Sequence, residues 1–144
     1  MKRGHINITE NNKQEFIVEA KLINGTLWLS KWQMATLFNV YTKTIESNLK
    51  AIFKAGLLRE NEVSHTVRHI NNGHESEEII YNLETIIFVG FRIASFEAKA
   101  FREWVIKAFS EYVKNENIKK YDVIVVFDSK LKTPIITSLG SEER

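Results

Sequence analysis

Two short amphipathic segments separated by three residues constrain the fold of this chain more than any other feature of its sequence. Residues 30–54 read "SKWQMATLFNVYTKTIESNLKAIFK". Ser30 followed by Gln33 forms a capping box, which predicts that a helix begins at the next residue, and the apolar stripe of that helix breaks at Asn39. A second helix is predicted at 42–54, because apolar residues recur there at helical spacing. This segment therefore predicts two helices joined by a tight turn.

Two hairpins are predicted on either side of the helix pair. The stretch "EFIVEAKLINGTLWL" alternates between apolar and polar residues and contains Asn24-Gly25. The stretch "VSHTVRHINNGHESEEIIYNL" contains Asn72-Gly73. An Asn-Gly pair between apolar runs is the strongest short signal for a two-residue hairpin turn. We therefore expect an N-terminal hairpin and a second hairpin after the helix pair.

The remaining sequence predicts two more helices and a tail. Asn82 and Ser95 are placed to cap helices at 83–89 and 96–114. The tail contains "YDVIVVFDSK", which is rich in β-branched residues, and "TPIITSL", so it is predicted to form strands. We expect one α+β domain over residues 1–113 and a strand-rich tail over residues 114–144.

Composition limits the class of protein. A chain of 144 residues, 44% hydrophobic and 26% charged, is typical of one globular domain. It contains no Cys, which excludes disulfides and thiolate zinc sites. No apolar run approaches the ~20 residues of a membrane helix, and the N-terminus lacks the apolar core of a signal peptide. We therefore expect a cytoplasmic protein without membrane contact, and no cofactor, metal or small-molecule ligand is indicated.

The charge is unevenly distributed along the chain. The net charge is only +2, but residues 1–60 carry nine Lys and Arg against five Glu, whereas residues 61–113 carry five against eight acids. The basic surplus thus lies in the segment that contains the helix pair. A polyanion partner such as DNA would need its cationic surface there.

The second predicted helix has the features of a DNA-reading helix. Its outward face groups Lys43, Ser47, Lys50 and Lys54 within about 60° of arc, with Glu46 as the sole acid at the edge. A helix-turn-helix also needs a small residue in its first helix, a tight turn and a buried anchor in its second helix; the sequence provides all three, as Ala35, Asn39 and Ile45.

Contacts to DNA can be assigned by position on that helix. Residues near its N-terminus are expected to reach base edges, and residues near its C-terminal half are expected to meet phosphates. The first set is Thr42, Lys43, Thr44 and Ser47; the second is Lys50 and Lys54. The alternative is that the lysines only keep a core helix soluble.

The hairpin after the helix pair is placed as the wing of a winged helix-turn-helix. Near its tip are side chains that can donate hydrogen bonds to phosphates: Arg68, His69, Asn71, Asn72 and His74. Glu75, Glu77 and Glu78 follow immediately, so only the first strand and the tip are suitable for this role. The predicted fold is therefore a winged helix-turn-helix-like domain with an N-terminal hairpin, a wing hairpin, a long C-terminal helix and a strand-rich tail.

Residues 20–113 also resemble a known family. The stretches "LWLSKWQMATLFNVYTKTIESNLKAIFKAGLL" and "IIYNLETIIFVGFRIASFEAKAFREWVIKAFSEYV" are similar to the bacterial virulence-protein RhuM family, related in plan to the Bro-N and KilA-N domains of phages and large DNA viruses. The chain departs from that pattern at Asn39, where Gly is usual, at Val105, where Ala is usual, and in "VYTKT" at the start of the second helix.

The resemblance implies a DNA-binding domain of mobile-element or phage ancestry. Among the residues that define the pattern, Gly90 is expected to end a helix as its C-cap. Arg92 and Arg102 are expected to pair with acids such as Glu84 rather than with phosphates. We therefore expect a non-enzymatic protein that binds double-stranded DNA, such as a transcriptional regulator.

Two other functions have some support in the sequence. One is a protein-interaction adaptor, antitoxin-like, that keeps the fold. The other, with less support, is a metal-dependent nuclease built on Asp122, Asp128 and Lys130 of "YDVIVVFDSK".

The histidines do not predict a metal site. His65 and His69 are four residues apart, which in a strand separates them by nearly 14 Å, too far to share a metal ion.

A homodimer is also expected, because two half-sites strengthen a weak single contact. The proposed interface is the tail "DVIVVFDSKLKTPIIT", whose apolar strand would otherwise form an exposed edge. The alternative is that this strand folds back on its own domain.

Overall fold

The computed structural model describes residues 2–115, 122–126 and 135–139. Contacts divide the chain into two compact units, the first ending at Trp104 and the second beginning at Val105. The described residues form a mixture of helices and short antiparallel sheets, so the predicted α+β class is confirmed. None of the helices in these ranges is long and apolar enough to cross a membrane.

The elements follow one another along the chain in a mixed order. They are β1 (His5–Glu10), β2 (Phe16–Lys21), β3 (Leu29–Ser30), α1 (Lys31–Phe38), α2 (Thr42–Lys54), α3 (Glu60–Val63), β4 (Ser64–Asn71), β5 (His74–Tyr81), α4 (Leu83–Gly90), α5 (Phe96–Asn115), β6 (Asp122–Val126) and β7 (Ile135–Leu139).

The predicted helix starts are confirmed, and each has a local cause. Asn82 accepts a hydrogen bond from the backbone N–H of Thr85 at 3.1 Å, which caps α4. Ser95 accepts one from the N–H of Ala98 at 3.0 Å, which caps α5. Both bonds satisfy backbone donors that the first turn of a helix leaves without partners.

The hairpin of β4 and β5 is confirmed as predicted. Asn71 pairs with His74, so the loop contains only Asn72 and Gly73, with φ of 52° and 78°. Both residues therefore have the left-handed backbone that a type I′ turn requires. The other edge of β5 pairs with β3, giving a three-stranded antiparallel sheet of order β3-β5-β4. This pairing ties the start of α1 to the base of the hairpin.

An N-terminal hairpin is present, but the prediction of which strand pairs with β2 is wrong. Asn24-Gly25 does turn the chain, but the only pairing across it is the single bridge between Ile23 and Thr26 found among the described residues. The strand β2 pairs instead with β1, from Glu10 opposite Phe16 to His5 opposite Lys21. After the turn the chain enters the core at the fully buried Leu27 and then joins β5, so it cannot continue along β2.

The core of the first unit lies where α1, α2, α4 and the start of α5 meet the three-stranded sheet. Its largest fully buried apolar side chains are Leu27, Met34, Phe38, Ile45, Ile52, Ile80, Ile86, Val89 and Phe101. The rings of Phe38 and Phe101 meet edge-on, with centroids 5.2 Å apart and planes at 84°. Aromatic pairs favour this geometry because a positive ring edge meets a negative ring face.

Gly90 has a different role from the predicted one. It is the last residue of α4, and the C-cap is Phe91, whose backbone is right-handed. A Cβ atom on Gly90 would lie 2.6 Å from Cδ2 of Phe101 and 3.1 Å from Cζ of Phe38. The absence of a side chain at Gly90 therefore allows the Phe101 ring to pack against the backbone of α4.

The second unit contains the remainder of α5 and a two-stranded antiparallel hairpin. β6 and β7 pair from Asp122 opposite Leu139 to Val126 opposite Ile135, which confirms the two predicted strands. On α5, Ile106, Phe109 and Tyr112 are about half exposed. Asp128 and Lys130, which belonged to the nuclease hypothesis, lie outside the described residues.

Replacing Gly90 with Ala tests the close approach of Phe101. Helix propensity alone would make this change stabilising by about 1 kcal/mol. We expect the opposite, a loss of about 1–3 kcal/mol in the free energy of unfolding, because the added methyl overlaps the Phe101 ring. Urea denaturation measures the difference, and a G90A/F101L double variant, with the ring removed, should recover the clash component. A G90A protein more stable than wild type would contradict the packing role.

Candidate nucleic-acid interface

The first helix of the pair begins with the predicted capping box. The backbone N–H of Gln33 donates to the Ser30 hydroxyl at 3.1 Å, and the Gln33 side-chain oxygen accepts from the N–H of Ser30 at 2.9 Å. That same oxygen also accepts a hydrogen bond from the guanidinium of Arg3, which in turn forms an ion pair with Glu78 at 3.1 Å. Arg3 therefore links the start of α1 to strand β5.

The turn between the two helices depends on Asn39. Its φ of 55° and ψ of 51° place it in the left-handed region, which ends α1. The N–H of Val40 then donates to the carbonyl of Ala35 at 3.0 Å, and Ala35 is buried. Asn tolerates this backbone better than other residues with a side chain. Asn39 thus provides the left-handed residue that the tight turn needs.

Helix α2 has the two faces that the sequence predicts. Ile45, Leu49 and Ile52 are buried against the core. On the outward face the structure places Lys43, Ser47, Lys50 and Lys54 together and exposed. Glu46 at the edge of this face forms an ion pair with Lys31 of α1 at 3.2 Å. Its negative charge is thereby compensated from a neighbouring helix, and the outward face stays cationic.

The first turn of α2 has no side-chain cap. Tyr41 occupies the N-cap position without making a side-chain hydrogen bond to the helix, and it is 85% exposed. Thr42 and Thr44 follow it and are half-buried. The positive end of the helix dipole is therefore open toward solvent at the position where base contacts are predicted.

A shallow recess lies between α2 and the base of the hairpin. It is lined by three cationic side chains, two acidic ones and an apolar floor: Lys31, Lys50, Lys54, Glu46, Glu60, Leu49, Phe53 and Tyr81. Burial raises the pKa of the Tyr81 phenol, and the nearby carboxylate of Glu60 raises it further, so Tyr81 is neutral here. The recess places Lys31 beside Lys50 and Lys54 on one flank of α2.

The residues assigned to the wing are exposed, but the charge of Arg68 is compensated. Arg68 stands opposite Glu77, and its guanidinium lies 3.2 Å from Glu75 and 3.4 Å from Glu77. His69 lies 3.5 Å from the carboxylate of Glu78. The strand register therefore brings the acids of β5 directly against the donors of β4, which sequence spacing alone did not reveal.

The residues at the tip of this hairpin, unlike Arg68 and His69 in its strand β4, do not lie against the carboxylates of Glu75, Glu77 or Glu78. Asn72 is exposed in the turn and His74 is exposed beside it, and Ile70 of β4 is 78% exposed. His65, near the base of β4, packs edge-on against the Trp28 ring with centroids 6.4 Å apart. The two histidines of β4 thus have separate surroundings.

The predicted partners of two arginines are wrong. Arg102 donates to the carbonyl oxygens of Gly90 at 2.9 Å and Ile93 at 2.7 Å, so it caps the C-terminal end of α4. Arg92 donates through Nε to the side-chain oxygen of Asn48 at 2.9 Å. Glu84 is not the partner of either, because it lies in the first turn of α4 whereas both arginines bind at other places.

Comparisons with known proteins add no assignment. No protein-family model, no curated protein and no solved structure is significantly similar to this chain.

Two cations beside the helix pair, Arg3 and Arg92, were not predicted from the sequence as parts of this surface. Arg3 precedes every predicted element, and Arg92 was expected to be structural. The contacts of both depend on segments distant in sequence, Glu78 for Arg3 and Asn48 for Arg92. No local spacing could have shown them.

Replacing Asn39 tests the turn that positions α2. We expect Asn39→Ala to lower the free energy of unfolding by about 1 kcal/mol, because Ala is strained in the left-handed region. Asn39→Gly should stay close to wild type. Asn61→Ala is the matched control, since Asn61 is exposed within a right-handed helix. Thermal unfolding compares the three variants, and equal stability of N39A and N61A would contradict the requirement for a left-handed residue.

Proposed function

We propose that this protein binds double-stranded DNA with α2 as the reading helix of a winged helix-turn-helix and carries out no chemical reaction on it. One observation carries the proposal: the exposed face of α2 presents Lys43, Lys50 and Lys54 together, directly after a left-handed turn at Asn39. A helix held by a turn and carrying cations on its outward side suits the major groove.

The chain topology supports this proposal. The order β3-α1-α2-α3-β4-β5, with β3 paired to β5, is a helix pair and a four-residue helix followed by a hairpin whose base is anchored beside the first helix. That is the plan of a winged helix domain. The buried residues Ile45 and Ile52 fix α2 against this frame, so that its outward face is presented rigidly.

The division of contacts follows from the length of α2. A helix of 13 residues is about 20 Å long, so its two ends meet different parts of a groove. Thr42, Lys43, Thr44 and Ser47 are assigned to base edges. Lys50 and Lys54 are assigned to phosphates, with Arg68, His69, Asn72 and His74 as secondary contacts from the wing.

The resemblance to the RhuM family and to Bro-N and KilA-N domains favours the same role. We infer a regulator of mobile-element or phage ancestry on that ground. The Asn39 turn is compatible with the family pattern, whereas "VYTKT" alters the start of α2, where base contacts are assigned. The resemblance therefore does not define the DNA sequence that this protein prefers.

The second candidate is a protein-interaction adaptor. The observation that favours it is the ion pairing of Arg68 within the wing, together with exposed aromatic side chains on the helix pair, Trp32 at 67% and Tyr41 at 85%. Binding to mixed-sequence duplex DNA separates the two functions. DNA binding weakens steeply with salt because counterions are released, and an adaptor has no such dependence.

Lysine substitutions locate the binding energy. Lys50→Ala should weaken binding to all duplexes alike and lower the salt slope by ~1, because one phosphate contact is lost. Lys43→Ala should cost ~1–3 kcal/mol on a preferred site and little elsewhere. Fluorescence anisotropy over a salt series measures both effects.

Lys13→Ala is the matched control for charge, since Lys13 is exposed in the loop between β1 and β2. It should leave the salt slope unchanged. If a folded Lys43/Ser47/Lys50 triple Ala variant binds DNA as tightly as wild type, α2 is not the reading helix.

We also propose that the protein is a homodimer joined through the second unit. Ile124, Val125 and Val126 of β6 are each at least 40% exposed, and Ile135 of β7 is 50% exposed. Both faces of a two-stranded hairpin are thus apolar and accessible, an arrangement that is marginal in water without a partner. A second copy provides a matching surface and a second half-site reader.

Light scattering at tens of micromolar tests the dimer. The expected mass is twice that of the 16.8 kDa chain. Val125→Lys should reduce it to the monomer mass, because a buried charge would disrupt an apolar interface. The control variant Lys13→Arg, on the first unit, should keep the mass of the dimer. A monomer mass for the wild type would overturn the proposal.

A further inference from the structure

Arg92 is tied to the reading helix by two consecutive hydrogen bonds. Its Nε donates to the side-chain oxygen of Asn48 at 2.9 Å, and the side-chain nitrogen of Asn48 donates to the carbonyl of Thr44 at 2.8 Å. The backbone of Arg92 is anchored as well, since its N–H donates to the carbonyl of Val89 at 2.9 Å. The guanidinium is therefore held beside the first half of α2, although it belongs to the link between α4 and α5.

The bonds of Arg92 leave most of its donors available. A guanidinium has five N–H donors, and the contact with Asn48 occupies one of them. Within the described parts of the chain, no carboxylate lies in ion-pair range of Arg92, in contrast to Arg3, Arg59 and Arg68. Its side chain is exposed. A neutral amide thus orients this guanidinium without compensating its charge.

The position of Asn48 on α2 decides which side of the helix Arg92 occupies. At 100° per residue, Asn48 lies about 160° from Lys50 by the shorter way round, at the border of the buried face. Lys50 and Lys54 lie on the outward face and line the recess on the hairpin side of α2, together with Lys31. Arg92 therefore stands on the other flank of α2.

A helix in the major groove has a sugar–phosphate backbone on each side of it. The groove is about 12 Å wide, and a helix that enters it is flanked by both strands. Cations on only one flank would hold the helix against one strand. Planar, bidentate donors are the best match for a phosphate group.

We infer that Arg92 binds a phosphate of the DNA strand opposite the one contacted by Lys50 and Lys54, and that Asn48 positions it. This inference rests on the proposed DNA-binding function. Because Asn48 already restrains the side chain, less conformational entropy is lost when the phosphate binds. Arg92 and the lysines together clamp α2 from both sides of the groove.

The test uses the full chain and a mixed-sequence duplex in a salt titration. Arg92→Ala should reduce affinity and lower the salt slope by ~1, since one phosphate contact disappears. Arg92→Lys should keep the slope but lose part of the affinity, because Lys lacks the planar pair of donors. Asn48→Ala should keep the slope and lower affinity less than Arg92→Ala does, and it should have no further effect when Arg92 is already Ala.

Arg59→Ala is the matched control, because Arg59 is an exposed arginine paired with Glu62 at 3.8 Å and lies outside α2. It should behave as wild type. Thermal unfolding of every variant separates lost binding from lost folding: a purely structural tether would lower the unfolding temperature while leaving the salt slope of the folded protein unchanged.

Three outcomes are distinguishable. If wild type binds DNA and Arg92→Ala keeps both its affinity and its salt slope, Arg92 only links α4 to α2 and the inference fails alone. If Arg59→Ala loses as much slope as Arg92→Ala, the effect is one of net charge and the inference also fails. If wild type shows no salt-dependent binding, the proposed function fails together with it.

Discussion

The edge-on contact between Phe38 and Phe101 is the interaction on which the arrangement of the first unit depends. Phe38 is the last residue of α1, and the left-handed Asn39 follows it directly. Phe101 belongs to α5, and its ring lies against the backbone of α4 at Gly90. Three helices, α1, α4 and α5, thus meet at one ring pair. Asn39, which redirects the chain into α2, directly follows one of the two rings in sequence. The direction of α2 is therefore fixed by packing well away from its own exposed face.

A second constraint fixes the helix pair relative to the hairpin. The strand β3 has only two residues, yet it pairs with β5 immediately before the capping box of α1. Arg3 bridges the same place from the N-terminal segment, through Gln33 and Glu78. The backbone hydrogen bonds between β3 and β5 and the side-chain contacts of the half-buried Arg3 therefore all hold the start of α1 against β5. The hairpin of β4 and β5 and the helix pair share this common base.

Local signals allowed much of this fold to be predicted from the sequence. Capping residues such as Ser30 and Asn82 act within four residues of their partners, and Asn72-Gly73 encodes its own backbone conformation. The helix faces follow from apolar spacing in the same way. All of these features depend on short-range chemistry, which a single sequence records directly.

Features that depend on distant segments could not be predicted in this way. The Asn24-Gly25 turn was identified, but the strand that pairs with β2 was not, because a turn does not specify which edge will be used. The same limit applies to Arg92 and Arg102, whose partners lie on other elements. It applies also to Gly90, since the ring that needs its missing side chain comes eleven residues later. The candidate face of α2 was foreseen, and its flanking cations were not.

The ion pairs within the wing have a consequence for the thermodynamics of any contact made there. Glu75 and Glu77 act as the counterions of Arg68 in the free protein. A phosphate that bound Arg68 would displace these carboxylates, which remain attached to the chain, whereas a phosphate that bound a lysine of α2 would release only dissolved ions.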